Sequence, residues 1–363
     1  KTNSLLKKES KDQQRAKILI VGKTGVGKST LINTVFGENL AQTASGKPVT
    51  QHIECYSTEG SPIEIWDTKG LENKDYQKIK QELDEFVRKH NTSTDARDYI
   101  HAAWVCVSSN GGRVEDADKQ LVEDLTSLGI QVIVVLTKCS NLLSEQTRQF
   151  FDFVKNEFKG LAHSVVQTRG IEEKILDDET GEIIKEKPPY GIDHLIKETF
   201  ALIPAAQKQA FASALNAQHK EAILLKTEQA RTAINWAKTA AGAAAVVPIP
   251  FSEAVALVPI QAGMIIKISS IFNVPFEDKD ILPAIATLAT SLGTTVATQT
   301  AAAGLLKFIP VIGSVAGGAL GAAAALKITQ LLGESYLEAL VRLSEQKKPL
   351  TFQSALAIVE DSL

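Results

Sequence analysis

The chain has 363 residues, 44% of them hydrophobic, and a formal net charge of −3. This is enough for two domains with sizeable cores, and a charge near zero gives no reason to expect nucleic acid as a partner. The three cysteines, Cys55, Cys106 and Cys139, are flanked by strand-like apolar residues. We expect them to be reduced, buried thiols of a cytoplasmic protein, which argues against a disulfide or metal framework.

The composition of the chain changes near Pro204. Residues 1–15 are polar, with no charged-then-apolar leader, and we expect a solvated arm or a short helix there. Residues 16–204 mix charged and apolar segments evenly, whereas residues 205–363 hold Ala- and Gly-rich stretches with few charges. The sequence therefore predicts two domains with a boundary at 204/205.

The first domain opens with a strand, a loop and a helix. Residues 16–22 (AKILIVG) are apolar and end in glycine, as a buried strand does, and residues 22–29 (GKTGVGKS) fit the phosphate-loop pattern G-x-x-x-x-G-K-[ST]. In this pattern backbone N–H groups surround phosphate oxygens, Lys28 adds a positive charge at the outer phosphates, and the Ser29 hydroxyl ligates Mg²⁺. The helix that follows would point its N-terminus at the phosphates.

Two later segments predict how Mg²⁺ and the terminal phosphate are held. Asp67 and Gly70 form a D-x-x-G pattern at the end of a strand-like segment, with a carboxylate near Mg²⁺ and a glycine N–H that contacts the terminal phosphate. The polar loop before it offers Thr50, or alternatively Thr43, as a hydroxyl that ligates Mg²⁺ when the γ-phosphate is present. An ordinary exposed threonine is the other interpretation of Thr50.

Apolar strands alternate with amphipathic helices through the rest of the first domain. Strands are predicted at 102–109, 131–138 and 162–168, and this alternation indicates an α/β fold with a mostly parallel six-stranded sheet and helices on both faces. Residues 172–187 predict a charged hairpin that turns at 179–181. It is either a dimer contact or a solvated surface hairpin.

The motifs at 22–29, Thr50, 67–70 and 137–138 occur in the order and spacing of Era- and septin-type P-loop GTPases, the TrmE-Era-EngA-YihA-septin class. The segments GKTGVGKSTLIN and GGRVEDAD are also similar to bacterial Era-like members and immunity-related GTPases. The resemblance covers residues 16–203. It implies a Ras-like G domain that takes GTP as substrate, releases GDP, requires Mg²⁺ and forms homodimers through the G domain.

This resemblance assigns roles to individual positions. The candidate catalytic residues are Lys28 and Thr50. The predicted nucleotide-binding residues are Gly22, Lys23, Thr24, Gly25, Val26, Gly27, Lys28, Ser29, Thr30, Gly70, Thr137 and Lys138, and the predicted metal ligands are Ser29, Thr50 and Asp67.

Ser140 departs from the family pattern, because a guanine-reading loop of the form Asn/Thr-Lys-x-Asp has aspartate at this position. That carboxylate accepts two charge-assisted hydrogen bonds from guanine, and a serine hydroxyl replaces at most one of them. The loss should weaken guanine binding by about one to two orders of magnitude. The sequence leaves open relaxed base selectivity, which includes ATP binding, a neighbouring residue that supplies the carboxylate, and loss of nucleotide function.

Leu71 is a second departure, at the position where Ras-like enzymes carry a glutamine that orients the attacking water. Gly25 stands where potassium-activated relatives have asparagine. Slow intrinsic hydrolysis is therefore expected, with the activating group supplied by another loop, a second G domain or a partner. Arg113 is either such a donor to another copy or an ordinary loop arginine.

The second domain is predicted to be all-α, with one long amphipathic helix from residue 206 to residue 237 that carries Phe211, Leu225 and Trp236 on its apolar face. Later segments are apolar but interrupted by proline, or rich in alanine and glycine, with Gly313, Gly317 and Gly321 at a spacing that allows close helix contact. The region resembles the YcjF-like hydrophobic domain found fused to Era-like GTPases.

Three functions follow as expectations. In the first, slow GTP hydrolysis controls dimerisation or membrane contact of the helical domain through residues 239–326, and the protein is cytoplasmic with peripheral or partly inserted membrane association. In the second, it is a dynamin-like or immunity-related-like assembly protein that remodels membranes. In the third, it is a nucleotide-binding scaffold with relaxed base specificity. A role on RNA or the ribosome has no basic stripe to support it.

Overall fold

The computed structural model describes residues 15–37, 47–48, 52–57, 62–68, 76–91, 98–176, 183–244, 253–276, 281, 283–284, 288 and 317–362. Thr43, Thr50, Gly70, Leu71 and the hairpin tip at 179–181 lie outside these residues, as does Gly313. The chain divides into two compact units between Ala222 and Ile223.

One sheet forms the centre of the first unit. Its strands in the described residues are β1 (Ala16–Gly22), β2 (Lys47–Pro48), β3 (Ile53–Tyr56), β4 (Ile63–Thr68), β5 (Ala102–Ser108), β6 (Val132–Thr137) and β7 (Ser164–Gln167), in the order β2-β3-β4-β1-β5-β6-β7. β1, β4, β5, β6 and β7 run parallel, and β3 is antiparallel to β4 and β2. The predicted mostly parallel six-stranded sheet is confirmed, and the two-residue β2 extends its edge.

Helices cover both faces of this sheet. They are α1 (Lys28–Phe36), α2 (Tyr76–Asn91), α3 (Asp116–Ser127), α4 (Glu145–Glu157), α5 (Ile192–Leu202) and α6 (Ala205–Ala214). On one face, Leu83 of α2 and Leu121 of α3 pack against Leu19, Val105 and Val134. The alternating side chains of the strands face the opposite layer, so that burial on both sides explains why the strands are almost continuously apolar.

The opposite layer is held by aromatic contacts. Trp104 of β5 stacks on Phe36 of α1 with ring centroids 5.9 Å apart, and Phe211 of α6 meets Phe36 edge-on at 6.1 Å. The indole N–H of Trp104 donates to Thr199 Oγ1 of α5 at 3.0 Å, which satisfies its buried polar group. α6 therefore packs within the first unit.

The prediction of one long helix from residue 206 to residue 237 is wrong, because this segment forms two helices, α6 and α7 (Lys220–Ala244). Between them, the Asn216 backbone N–H donates to the Val35 carbonyl at 2.9 Å, and His219 Nε2 lies 2.7 Å from the Thr34 carbonyl. These are carbonyls of the last turn of α1, which have no partner inside that helix. The connection therefore serves the end of α1, and periodicity alone cannot indicate this.

The second unit is all-α, as predicted. Besides α7 it contains α8 (Glu253–Phe272), α9 (Gly317–Glu345) and α10 (Phe352–Asp361). α7 and α9 approach each other closely, since a Cβ on Gly242 would lie 2.9 Å from the Leu326 side chain. Trp236, expected on the apolar face of the long helix, is 67% exposed. The buried face of α7 instead carries Ala230, Ile234, Ala237 and Ala241.

Several buried polar groups also lie in the second unit. Lys226 is fully buried, and its Nζ donates to the Ile271 carbonyl near the end of α8 at 2.5 Å. Burial lowers the pKa of this lysine to about 7. Ser269 and Tyr336 share a hydrogen bond of 2.8 Å between α8 and α9. Among the helices within the described ranges, none has the length and apolar content of a membrane span.

The first unit also contains a two-stranded hairpin, formed by β8 (Glu173–Leu176) and β9 (Ile183–Lys187) between β7 and α5. Its pairing places Glu173 opposite Lys187 and Lys174 opposite Glu186. The predicted charged hairpin is thus present.

Candidate functional site

The parallel strands bring several loops together at their carboxyl ends. β1 ends at Gly22, β4 at Thr68, β5 at Ser108 and β6 at Thr137. In open α/β sheets, ligands bind in the crevice outside this edge. The predicted site residues of the first domain fall here because their motifs directly follow or end these strands.

The phosphate loop has a backbone that requires glycine at its turning points. Gly22, Gly25 and Gly27 have φ angles of 149°, 74° and 108°. A Cβ on Gly22 would lie 2.5 Å from the carbonyl oxygen of Cys106 on β5, so a side chain has no space there. Gly27 is the N-cap residue of α1. The N–H groups of the first helical turn, which have no partner inside the helix, therefore lie next to the loop.

Lys28 lies inside this loop. Its side chain is buried, and Nζ donates to the carbonyls of Gly22 at 2.9 Å and Lys23 at 3.3 Å. Nζ is also 3.9 Å from Oδ1 of Asp67, at the end of β4. The structure therefore brings together the ammonium and the carboxylate that the sequence assigned to the outer phosphates and to Mg²⁺.

Asp67 is buried, and its Oδ1 has no hydrogen-bond partner in the described part of the chain. Burial raises the pKa of this carboxyl to about 6, against the opposing effect of Lys28, and Glu54 adds to the increase. A buried carboxylate oxygen without a donor suits a cation. Ser29, at the first turn of α1, is exposed, so its hydroxyl is accessible to the same ion.

The base loop after β6 is fastened to the phosphate loop. Thr137 Oγ1 donates to the Val26 carbonyl at 2.5 Å, and Lys138 Nζ donates to the Gly25 carbonyl at 2.5 Å. Lys138 has a positive φ of 57°, a left-handed backbone conformation that is uncommon for residues other than glycine. Both predicted base-loop residues thus contact the phosphate loop directly.

The turn at Ser140 is held by cations from later segments. Arg169 Nη1 donates to the carbonyls of Cys139 and Ser140, each at 3.2 Å, and Lys187 Nζ donates to the Ser140 carbonyl at 3.0 Å. Arg169 also donates to the Pro188 carbonyl through Nε at 3.1 Å and Nη2 at 2.7 Å. The base loop and the hairpin are therefore joined at this point.

Sequence reasoning did not assign a role to Arg169, Lys187 or Glu173. Glu173 Oε2 accepts from Lys187 Nζ at 3.1 Å and lies 3.9 Å from Arg169 Nη1. The available signal was position, since Arg169 follows the end of β7, a parallel strand whose carboxyl end reaches the site.

A further ionic contact joins the phosphate loop to the loop after β5. Lys23 pairs with Glu115, and the donated hydrogen bond lowers the pKa of that carboxyl below its ordinary value. Arg113 Nη2 lies 3.7 Å from Glu115, and the Arg113 side chain is 77% exposed. Arg113 is thus near the phosphate loop and accessible from outside.

The remaining predicted residues divide into two groups. Thr24 and Thr30 are exposed at the loop and at the start of α1, next to the residues described above. Thr50 and Gly70 lie outside the described residues, so their assignments stay predictions.

Comparison with known proteins places this site in context. A family model described as "50S ribosome-binding GTPase" matches residues 17–138. The chain is 30% identical over 188 residues to GTPase Era of Clostridioides difficile (strain 630), covering 50% of this chain and 60% of Era. It is 29% identical over 170 residues to Cell division control protein 10 of Saccharomyces cerevisiae, covering 39% of this chain and 52% of that protein. The chain thus spans little more than half the length of these relatives.

Solved structures that are similar to this chain include Toc33 from Arabidopsis thaliana, which is 19% identical in sequence. The match covers 56% of this chain and 86% of Toc33, with a TM-score of 0.33. A likeness of this size supports no argument beyond the sequence matches.

Proposed function

We propose that this chain, whose residues 17–138 match a GTPase family model and which is similar to Era and to Cell division control protein 10, binds GTP with Mg²⁺ and hydrolyses it slowly. One observation carries the proposal. Lys28 lies within the phosphate loop, and the base loop is fastened to that loop through Lys138 and Thr137. The two loops that we propose for the phosphates and for the base are therefore in direct contact.

Ser29 and Asp67 are the described residues that would hold Mg²⁺, and Thr50 is proposed as a further ligand. When bound, the ion neutralises charge on the phosphate oxygens. Lys28 contributes the other positive charge, where a transferring phosphoryl group needs it, and its carbonyl contacts with Gly22 and Lys23 orient Nζ before substrate arrives. Preorganisation of this kind lowers the barrier, because no reorganisation is required during the reaction.

Slow turnover is proposed from the side chain that follows the D-x-x-G pattern. Leu71 has no group that can orient a water molecule, and Ras-like enzymes need such a group for fast hydrolysis. Arg113 is exposed beside the phosphate loop and is our candidate for a charge donated to the site of a second copy.

Phosphate release from GTP, with Mg²⁺ in the buffer, tests this function. Wild type should release phosphate slowly, and Lys28→Ala should release none above the uncatalysed background. Lys119→Ala is the matched control, because Lys119 is a lysine of α3 whose side chain pairs with Glu157 of α4. Equal rates for wild type and Lys28→Ala would refute the proposal.

We further propose that the nucleotide state controls homodimerisation of the G domain or membrane contact of the helical unit. Trp236 and Leu224, both on α7, are 67% and 63% exposed. Large apolar side chains of this kind suit a partner surface or a membrane interface. Vesicle co-sedimentation and light scattering, each with GDP and with a non-hydrolysable GTP analogue, test both parts. A dynamin-like assembly would require lipid-bound oligomers with the analogue, and identical results with both nucleotides would contradict nucleotide control.

A further inference from the structure

The base loop has no acidic side chain at Ser140, but Lys187 connects the Ser140 carbonyl to the carboxylate of Glu173. Lys187 Nζ donates both to the Ser140 carbonyl at 3.0 Å and to Glu173 Oε2 at 3.1 Å. Arg169 Nη1 likewise contacts the Ser140 carbonyl at 3.2 Å and lies 3.9 Å from Glu173 Oε2. Two cations therefore hold the Glu173 carboxylate beside the turn where a guanine-reading carboxylate is expected.

The fold of the hairpin explains which of its charges faces the base loop. Glu173 and Lys187 are opposite each other in the β8–β9 ladder, and successive side chains of a strand point to opposite faces. The next pair along, Lys174 and Glu186, is joined at 3.7 Å and is about half exposed on both sides. One ion pair of the hairpin therefore contacts the Ser140 turn, and its neighbour faces solvent.

Part of the Glu173 carboxylate is still available. Its contacts within the described residues are all made by Oε2, and its side chain is 37% exposed. Oε1 can accept a hydrogen bond from a ligand while Oε2 keeps its cation. Guanine presents two adjacent donors, N1–H and the 2-amino group, which a carboxylate accepts with charge assistance.

We infer that Glu173 supplies the base-reading carboxylate that Ser140 lacks, so that the hairpin inserted after β7 determines selectivity for guanine nucleotides. This inference rests on the proposed nucleotide site. Lys187 and Arg169 are positioning residues in this arrangement, since they hold the acid at the turn. ATP presents an acceptor at N1 and no 2-amino group, so the same carboxylate would disfavour it.

Competitive titration of the full chain with GDP, IDP and ADP, in the presence of Mg²⁺, tests the inference. IDP lacks the 2-amino group, so wild type should bind GDP about tenfold or more tightly than IDP, and ADP more weakly still. In Glu173→Gln the GDP-to-IDP ratio should fall to about three or less, because the amide brings a donor and no charge. Glu186→Gln, which changes the solvent-facing pair, should keep the wild-type ratio.

A rescue variant guards against a merely structural effect. Adding Ser140→Asp to Glu173→Gln should restore the preference for GDP, because the acid returns at the family position. A wild-type ratio retained in Glu173→Gln, or no discrimination between GDP and IDP in wild type, would overturn the inference and leave the proposed function standing. If wild type binds none of the three diphosphates, the proposed function fails, and this inference fails with it.

Discussion

At the phosphate end of the proposed nucleotide site, consecutive residues 22–29 supply the whole loop, whereas the proposed base end is assembled from segments far apart in the chain. Lys28 finds its partners within that loop and at Asp67. The turn at Ser140 is instead held by Arg169, which follows the end of β7, and by Lys187 of β9. Residues 22–29 match the phosphate-loop pattern, and we propose that contacts from later segments replace one part of the base-loop pattern.

We infer from this contrast which half of a nucleotide site can vary. Phosphate is recognised by backbone N–H groups and by one lysine, so the loop conformation itself is the recognition element. The base is recognised by side-chain acceptors, and an acceptor can reach the same place from another segment. We therefore expect changes at the phosphate end to abolish binding and changes at the base end to redirect it.

The largest effect is expected at Gly22. Gly22→Ala places a Cβ 2.5 Å from the Cys106 carbonyl at a φ of 149°, so the β1–β5 contact must shift. We expect a loss of about 3 kcal/mol or more in unfolding free energy, together with loss of GDP binding, as measured by urea denaturation and titration. Gly25→Ala has open space around its Cβ and should destabilise by only about 1 kcal/mol from its positive φ. Equal losses for the two would show that the strand contact is unimportant.

Removal of the Arg169 guanidinium is the next largest change. Arg169→Met keeps the apolar stem but leaves the carbonyls of Cys139, Ser140 and Pro188 without this donor. Part-buried carbonyls that lose a charged donor should lower the unfolding free energy by about 2 kcal/mol. Hydrogen exchange should also rise in the hairpin. Arg148→Met, at an exposed position of α4, is the control and should be neutral. A neutral Arg169→Met would mean that the base end is held by other contacts.

Acid pH weakens the first unit from the edge of the sheet opposite the site. His101 Nδ1 accepts from the Lys17 N–H at 2.9 Å, and burial, with the Lys17 charge, lowers its pKa to about 4 from 6.5. Between pH 6.5 and 4 the imidazole of His101 is protonated in the unfolded state and neutral in the folded state. The stability that neutral His101 contributes is therefore complete above pH 6.5 and is lost as pH falls through 4.

The expected loss at pH 5 is about 2 kcal/mol, and urea denaturation at several pH values measures it. His101→Gln retains an acceptor but does not titrate, so it should flatten the slope between pH 6.5 and 5. An unchanged slope would assign the acid sensitivity to groups other than His101.

The smallest effect is expected for the hydrogen bond between the base loop and the phosphate loop, which Lys138 donates to Gly25. Lys138→Met removes the hydrogen bond to the Gly25 carbonyl and keeps the stem. GDP affinity should fall about tenfold in titrations, with little change in unfolding free energy because the bond is exposed. Lys119→Met is the matched lysine control. Unchanged GDP affinity in Lys138→Met would separate the base loop from the phosphate loop.

Sequence alone could predict the loop at 22–29, because its residues are contiguous and their conformations depend on glycine. It could also place Thr137 and Lys138 at the end of a buried strand, and the roles of all these residues toward a nucleotide stay predictions. It could not assign Arg169, Glu173 and Lys187, because their meeting depends on hairpin register and on how the hairpin meets the 139–140 turn. Charged residues in an inserted hairpin have the same pattern whether they face solvent or a ligand.

The mostly parallel sheet and the helices on both of its faces were predictable from alternating strands and helices. The break between α6 and α7 was not, because Asn216 and His219 bond to carbonyls of α1 that are remote in sequence. Trp236 was also misassigned, since Ala230, Ile234 and Ala237 define the buried face of α7 through small side chains. Alanine gives a weak apolar signal, and a single tryptophan outweighs it when the sequence is considered alone.

The central claim is that the loop at 22–29 and Lys28 hold the phosphates of a nucleotide whose base is secured at the other end. Calorimetric titration of GTP into the full chain with Mg²⁺ tests this most directly. We expect saturable binding of one GTP per chain by wild type and none by Lys28→Ala, with circular dichroism unchanged. Absence of heat and of saturation in wild type, or the same affinity in both proteins, would contradict it.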